Sequence, residues 1–170
     1  MRGNSPPEAC HVLPTDGLSE SDISFWSVRA DGVLLGVGAL KQLSDDHGEI
    51  KSMRTAPDAL GRGVGTAMLS HILGEARRRG YSQVSLETGC TEPFAAALRL
   101  YEREGFIPCG PFGGYPDTPF TRFFALELTS GQPPCIPKHP LLVARQPMGA
   151  CGVTRDSAPF FMGQIPVLEL

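Results

Sequence analysis

Three glycines at alternate positions, Gly61, Gly63 and Gly65, open a stretch of sequence that otherwise has the pattern of a helix. Apolar residues recur after them at helical spacing along one stripe: Val64, Met68, Leu69, Ile72, Leu73 and Ala76. Glycine weakens a helix, so its repetition at the first turn needs a reason. The free amides and the dipole of a helix N-terminus favour an anion, and absent side chains let it approach. The stretch therefore predicts a strand, a loop and a helix that together bind an anionic ligand, most obviously a phosphate.

The spacing of these glycines restricts the kind of phosphate ligand. The pattern is not GxGxxG, because Thr66 stands three residues after Gly63. The Lys-Ser/Thr pair of a P-loop is also missing from this stretch. Both observations argue against NAD and ATP.

Strand and turn signals precede this unit. The segment "ISFWSVRADGVLLGVGALKQL" predicts two strands joined by a tight turn at Asp31-Gly32, because Asp-Gly favours left-handed backbone angles. The segment "GEIKSMRTA" predicts a third strand. Its alternation places one set of residues on one face and a second set on the other: Ile50, Ser52 and Arg54, against Glu49, Lys51, Met53 and Thr55.

Further elements follow the glycine-rich helix. "YSQVSLET" predicts a strand, and residues 91–104 predict a second helix with Thr91 as its N-cap. "FIPCGPF" and "TRFFALEL" predict two more strands around a loop at residues 113–119. The predicted fold is α/β, with a mixed, mostly antiparallel sheet flanked by helices.

Composition divides the chain near residue 130. Seven of the sixteen prolines fall within residues 131–170, where no periodic pattern lasts more than a few residues. We expect an N-terminal segment at residues 1–22, one folded domain at 23–130 and a disordered Pro-rich tail at 131–170.

Charge and cysteine content exclude several classes of protein. A net charge of -3 over 170 residues provides no basic field for nucleic acid or a membrane surface. The five cysteines lie far apart without a CxxC pair, which indicates neither a disulfide framework nor a zinc site. The sequence predicts a cytoplasmic protein without a metal, whose partner is a small molecule. A homodimer is compatible with these features, and the oligomeric state stays open.

The glycine loop resembles the acyl-CoA loop of the GNAT superfamily of N-acetyltransferases, Arg/Gln-x-x-Gly-x-Gly/Ala. Gly63 and Gly65 fill its two small-residue positions, whereas Leu60 stands where the family has Arg or Gln. Arg62 is the adjacent charge that can take over the lost contact. "LYEREGF", residues 100–106, is similar to the family's second helix end and follows in the family's order.

A narrower resemblance, to a bacterial subgroup of small GNAT acetyltransferases, covers residues 5–128. It is carried by "SPPE", "FWS", "GEIKSMRTAP", "SLETG" and "CGPFG". By this resemblance Met1 falls where the family has already formed its first strand and helix, so the fold is expected to be N-terminally incomplete. The family's first strand normally pairs with the strand that here contains Phe25 and Trp26.

The resemblance implies acetyl-CoA as co-substrate, no metal, and direct transfer of the acetyl group to the amine of a small molecule. Tyr101 matches the family tyrosine that protonates the departing thiolate. Glu49 is the candidate general base, and Glu87 on the neighbouring strand competes for that role. Trp26, Glu87 and Tyr115 are the candidate substrate-binding residues.

The resemblance also implies a set of cofactor-binding positions on the third strand, in the glycine loop and at the start of the second helix. The strand is expected to polarise the thioester carbonyl and to bind the pantetheine arm through its backbone. At Phe94, where many family members have asparagine, packing replaces one contact. The predicted positions are Met53, Arg54, Thr55, Leu60, Gly61, Arg62, Gly63, Val64, Gly65, Thr66 and Phe94.

Other interpretations of the same residues stay open at this point. Glu49 can pair with Lys51 or Arg54 on its own strand, and Tyr101 can be an aromatic on an apolar helix stripe. His47 and His71 are expected to be solvated surface residues. The alternative function is a non-catalytic acyl-CoA-binding domain or an inactive truncated family member, motivated by Leu60, Phe94 and the missing first strand.

Overall fold

The computed structural model describes residues 22–128 and 142–145. The described strands and helices, in chain order, are β1 (Ile23–Ala30), β2 (Val33–Gln42), β3 (His47–Thr55), α1 (Val64–Arg78), β4 (Gln83–Gly89), α2 (Ala95–Arg103), β5 (Ile107–Cys109), β6 (Thr121–Glu127) and β7 (Leu142–Arg145). Short 3₁₀ turns at Pro57–Ala59 and Glu92–Phe94 precede the two helices.

In this part of the chain the strands form one seven-stranded sheet in the order β5-β6-β4-β3-β2-β1-β7. Only the β3–β4 pair is parallel, because the crossover through α1 returns the chain in the same direction. The other five pairs are antiparallel. The predicted fold class, a mixed and mostly antiparallel sheet with helices, is confirmed.

The turn between β1 and β2 has the backbone expected from its sequence. Asp31 and Gly32 both have positive φ, 49° and 79°. These angles suit a two-residue hairpin turn, whose twist matches that of the strands it joins. The sequence prediction for this hairpin is confirmed.

Helix α1 packs its apolar stripe on the sheet and is fixed at its C-terminal end by charged side chains. Glu75 Oε1 accepts hydrogen bonds from Arg78 Nη2 at 2.7 Å and from Arg79 Nε at 2.8 Å. Arg79 Nη2 donates to Ser24 Oγ on β1 at 2.6 Å. The hydrogen bonds from Arg78, and then those from Arg79, lower the pKa of Glu75 to about 2. The helix end is therefore tied to β1.

Helix α2 starts later than the sequence predicts. Thr91 makes no side-chain cap hydrogen bond, and the 3₁₀ turn at Glu92–Phe94 leads into the helix instead. Pro93, which has no N–H to donate, fits that turn. The cap predicted at Thr91 is therefore wrong, although the helix itself is confirmed.

The alternation predicted for β3 fails at Ser52. This residue has a φ of 53°, and Ser52 and Met53 together oppose Gly38 of β2, since Val37 pairs with Arg54 and Ala39 with Lys51. Two residues facing one form a β-bulge, which bends its strand and reverses the faces beyond it. Met53 consequently packs against the core with Ile50, rather than on the face of Glu49.

The bulge coincides with the point where β3 separates from β4. The two strands pair from His47 and Gln83 as far as Ile50 and Leu86. Beyond that point Lys51–Thr55 pairs with β2, while Glu87–Gly89 pairs with β6. We call the space between these two segments the β3–β4 gap. It lies in the middle of the sheet, beside the loop that leads into α1.

The outer neighbour of β1 is a strand from the segment predicted to be a disordered tail. In β7, Arg145 pairs with Trp26, Ala144 with Ser27 and Val143 with Val28. The sheet edge at which the family's first strand was expected is thus occupied by Leu142–Arg145. The remainder of the predicted tail and residues 1–21 of the predicted N-terminal segment lie outside the described residues.

Close packing around Gly36 connects the bulged strand to the start of α1. A Cβ atom there would lie 2.7 Å from the backbone oxygen of Arg54 and 2.7 Å from Val64 Cγ1. Since backbone atoms cannot move aside cheaply, Gly36→Ala should lower the free energy of unfolding by about 1–3 kcal/mol in urea denaturation.

The matched control for this substitution is Gly110→Ala. A Cβ atom at Gly110 would have nothing within 4 Å. This variant should stay within about 0.5 kcal/mol of the parent protein. Equal stability of the two variants would contradict the close packing described at Gly36.

Candidate active site

The β3–β4 gap presents strand edges in the interior of a sheet. Backbone N–H and C=O groups along Lys51–Thr55 face this space where β4 has turned away. Such an edge can bind an extended ligand through main-chain hydrogen bonds, as an added strand would. Thr55, at the end of the gap, is 4% exposed, and its Oγ1 has no hydrogen-bond partner among the described residues. A polar ligand entering the gap would supply such a partner.

The glycine loop lies between β3 and α1. Gly61 and Gly63 have φ values of 71° and 77°, and a Cβ atom on either would meet nothing within 4 Å. Glycine is therefore needed at these two positions because the backbone is left-handed, and not because a side chain would collide with the protein. Gly63 is the N-cap of the 15-residue helix α1 and provides no side-chain cap. The first-turn amides are available for an anion.

The remaining loop positions differ in exposure. Leu60 is 39% exposed, and Arg62 is exposed beside it. Val64 and Gly65 are buried at the start of α1, and Thr66 is half-buried. Leu60 thus provides an apolar surface where the family pattern has a polar anchor, and Arg62 brings a charge to the same turn.

A second cation reaches the first turn of α1 from helix α2. Arg103 Nη2 donates to Thr66 Oγ1 at 3.0 Å. Arg103 is not among the site residues predicted from the sequence, although it belongs to the motif "LYEREGF". Arg103 joins the two matched motifs in space and adds positive charge beside the anion-favouring amides.

On the sheet face opposite the helices, a buried carboxylate and two half-buried polar side chains form the Glu49–Lys51–Tyr115 cluster. Lys51 Nζ lies 2.9 Å from Glu49 Oε1, and the two side chains are 10% and 4% exposed. Tyr115 donates its hydroxyl to Glu49 Oε1 at 2.6 Å and accepts a hydrogen bond from Lys51. Two residues apart on a strand, Glu49 and Lys51 share a face, so sequence alone could have joined Lys51 to the site.

The environment of Tyr115 keeps its phenol protonated. Burial, the hydrogen bond to Glu49 and the negative charges of Glu49 and Glu87 together raise the pKa of Tyr115 well above its ordinary value. The influence of Glu87 means that this predicted residue also lies near the cluster. Both carboxylates considered as general bases therefore act on one region of the protein.

Aromatic rings adjoin the cluster. The ring of Phe112 lies 5.7 Å from those of both Tyr115 and Phe123, centroid to centroid. His47 lies 6.2 Å from Phe112, and its Nε2 is hydrogen-bonded to Ser85 Oγ at 2.8 Å. His47 is therefore half-buried in this wall. The prediction of a solvated surface histidine is wrong for it and also for His71, which is half-buried on α1.

Three of the predicted site residues lie away from the Glu49–Lys51–Tyr115 cluster. Trp26 is 3% exposed on the helix side of the sheet, with its ring 5.3 Å from His71 of α1. It is not brought to Glu49 and Tyr115. Tyr101 lies on the buried side of α2, 5.8 Å from the ring of Phe106. Phe94 packs under Gly89, at the β4 end of the gap.

Neither a metal-binding group nor a membrane-spanning helix is found among the described residues. Within residues 22–128 and 142–145, no group of three or more His, Cys, Asp or Glu side chains is arranged to hold a metal ion. No helix in that same part of the chain is both long and apolar enough to cross a membrane.

A mixed sheet that opens between two parallel strands, beside a glycine-rich helix start, has the architecture of the acyl-CoA N-acyltransferases. Residues 4–106 match the model of the acetyltransferase (GNAT) family. The chain belongs to this family and is an acetyltransferase.

Named relatives agree with this assignment. The chain is 47% identical to the "uncharacterized N-acetyltransferase" YedL of Escherichia coli (strain K12) over 128 residues. The match covers 75% of this chain and 80% of YedL. It is 46% identical over 124 residues to YsnE of Bacillus subtilis (strain 168), which carries the same description. That match covers 73% of this chain and 82% of YsnE. The PaiA N-acetyltransferase of Thermoplasma acidophilum, solved in complex with coenzyme A, shares the fold with a TM-score of 0.54 and 18% identity, over 63% of this chain and 62% of that one.

The raised pKa of Tyr115 can be measured directly. The chain has three tyrosines, and tyrosinate absorbs at longer ultraviolet wavelengths than the neutral phenol. Because Tyr115 stays neutral in the folded protein, the parent and Tyr115→Phe should show equal tyrosinate absorbance per molecule up to about pH 11. A loss of one tyrosine's absorbance in the variant at that pH would contradict the buried hydrogen bond to Glu49.

Proposed function

We propose that this acetyltransferase moves the acetyl group of acetyl-CoA directly to the amine of a small molecule in the cytoplasm. The observation that supports this most is the β3–β4 gap, which places an open strand edge between the glycine loop and a buried carboxylate. A flexible chain with amide groups, ending in a thioester, has the shape and hydrogen-bonding groups for such a gap.

The proposed mode of acetyl-CoA binding uses two parts of the chain. The first-turn amides of α1, with Arg62 and Arg103 nearby, would hold the phosphates. The backbone of Met53–Thr55 would hold the pantetheine arm, with Phe94 packing at the opposite strand. The complex of PaiA with coenzyme A supports a nucleotide thiol ligand for this fold.

The proposed chemistry needs one base and one acid. An alkylammonium has a pKa of about 10.4, so the acceptor must first lose a proton, which Glu49 would receive directly or through water. The neutral amine then forms a bond to the thioester carbon, and the carbon–sulfur bond breaks. Glu49 passes the first proton to water and then takes the extra proton of the acetamide nitrogen, while the departing thiolate takes a proton from Tyr101, whose phenol regains one from solvent. A backbone amide of β3 would stabilise the oxyanion.

Two substitutions test the assigned roles. Glu49→Gln and Tyr101→Phe should each lower kcat by about 10²- to 10⁴-fold, the usual contribution of a general base or acid. Both should retain acetyl-CoA binding, observed as an upward shift of Tm on addition of acetyl-CoA but not of NAD or ATP. Thiol release with a panel of amines provides the rate.

Tyr81→Phe is the matched control for Tyr101→Phe. The Tyr81 hydroxyl is buried and has no hydrogen-bond partner among the described residues, so its removal should leave kcat unchanged. Acetyl-CoA binding without turnover by the parent protein on any amine would contradict the proposal and support a non-catalytic acyl-CoA-binding domain.

A further inference from the structure

Lys51 is a largely buried cation, its side chain 10% exposed, within the site where the acceptor is proposed to bind. Its ammonium contacts both the carboxylate of Glu49 and the hydroxyl of Tyr115. Removing an ion pair from water costs about as much as the pair regains, so stability alone gives little reason to keep a lysine there. A cation beside the proposed general base instead points to an anionic group on the acceptor.

The hydroxyl of Tyr115 indicates which groups this place can accommodate. One oxygen atom donates to Glu49 at 2.6 Å and accepts from Lys51. An acceptor with an ammonium next to a carboxylate can make the same two contacts, since its ammonium donates to Glu49 and its carboxylate accepts from Lys51. Charge-assisted hydrogen bonds of this kind are stronger than those of a neutral phenol.

We propose that Lys51 binds the carboxylate of the acetyl acceptor, which makes the acceptor an amino acid or a close amino-carboxylate. This inference rests on the proposed function and adds the substrate class. Glu49 and Glu87 provide negative charge for the ammonium, and Lys51 provides the positive charge for the carboxylate. Phe112 and Phe123 provide an aromatic wall for the remainder of the molecule.

Tyr115 occupies the acceptor's place until the acceptor arrives. Gly113 and Gly114 directly precede it with φ values of 58° and 81°, a backbone that glycine adopts without strain. The tyrosine lies on a loop between β5 and β6, so it can leave the pair without disturbing a strand. Its departure frees Glu49 to take the proton of the acceptor ammonium.

The experiment compares acceptors that differ only in the anionic group. The common L-amino acids are assayed with acetyl-CoA, each beside its amide and its decarboxylated amine. The parent protein should acetylate at least one amino acid with a higher kcat/KM than its two neutral analogues. In Lys51→Met that preference should fall by about 10- to 100-fold, mainly through KM for the carboxylate acceptor.

The preference is compared between the parent protein and each variant with the same set of acceptors. The different basicities of the acceptor amines therefore cancel in the comparison. Lys51→Arg, which keeps the charge, should retain most of the preference. Arg78→Met is the control for loss of a cation outside the site, because the Arg78 side chain is 71% exposed on α1. It should leave the preference unchanged.

The outcomes separate this inference from the proposed function. Equal use of amino acids and their amides by the parent protein would overturn the role of Lys51, as would an unchanged preference in Lys51→Met. If the parent protein binds acetyl-CoA but acetylates only amines that lack a carboxylate, the proposed class of acceptor is wrong. A parent protein that does not bind acetyl-CoA would instead contradict the proposed function itself.

Discussion

Ser52 holds a left-handed backbone conformation, φ 53°, in the middle of a strand. A residue other than glycine reaches this region at a cost of about 1–3 kcal/mol, so the surrounding sheet must hold it there. The bulge that results directs β3 away from β4 immediately after Ile50 and Leu86. The gap, and with it the strand edge beside the glycine loop, depends on this one irregularity.

The two faces of the sheet divide the proposed reaction between them. Helices α1 and α2 cover one face and carry the glycine loop and Tyr101, while Glu49, Lys51 and Tyr115 lie on the other. The gap connects the faces, so a thioester held in it can meet an amine from the far side. Burial of the charged cluster strengthens its electrostatic interactions, because there is little water to screen them.

Local signals in the sequence predicted the fold well. The Asp31-Gly32 hairpin and the apolar stripe of α1 depend on neighbouring residues, and both are confirmed.

The bulge could not be predicted, because serine rarely takes a positive φ and no local pattern marks it. Tyr115 joins Glu49 across 66 residues, a contact set by tertiary packing. Trp26 was assigned to the acceptor site from its residue type, but α1 covers it. Strand β7 lies in a Pro-rich segment without lasting alternation.

Amide hydrogen exchange with and without acetyl-CoA tests the central claim, that the β3–β4 gap and the glycine loop bind the acyl donor. We expect slower exchange at residues 53–55, where the backbone faces the gap, and at residues 64–66 of the first turn of α1. The β1–β2 hairpin should exchange at the same rate in both conditions. Binding of acetyl-CoA that protects other segments and leaves both of these unchanged would contradict the account.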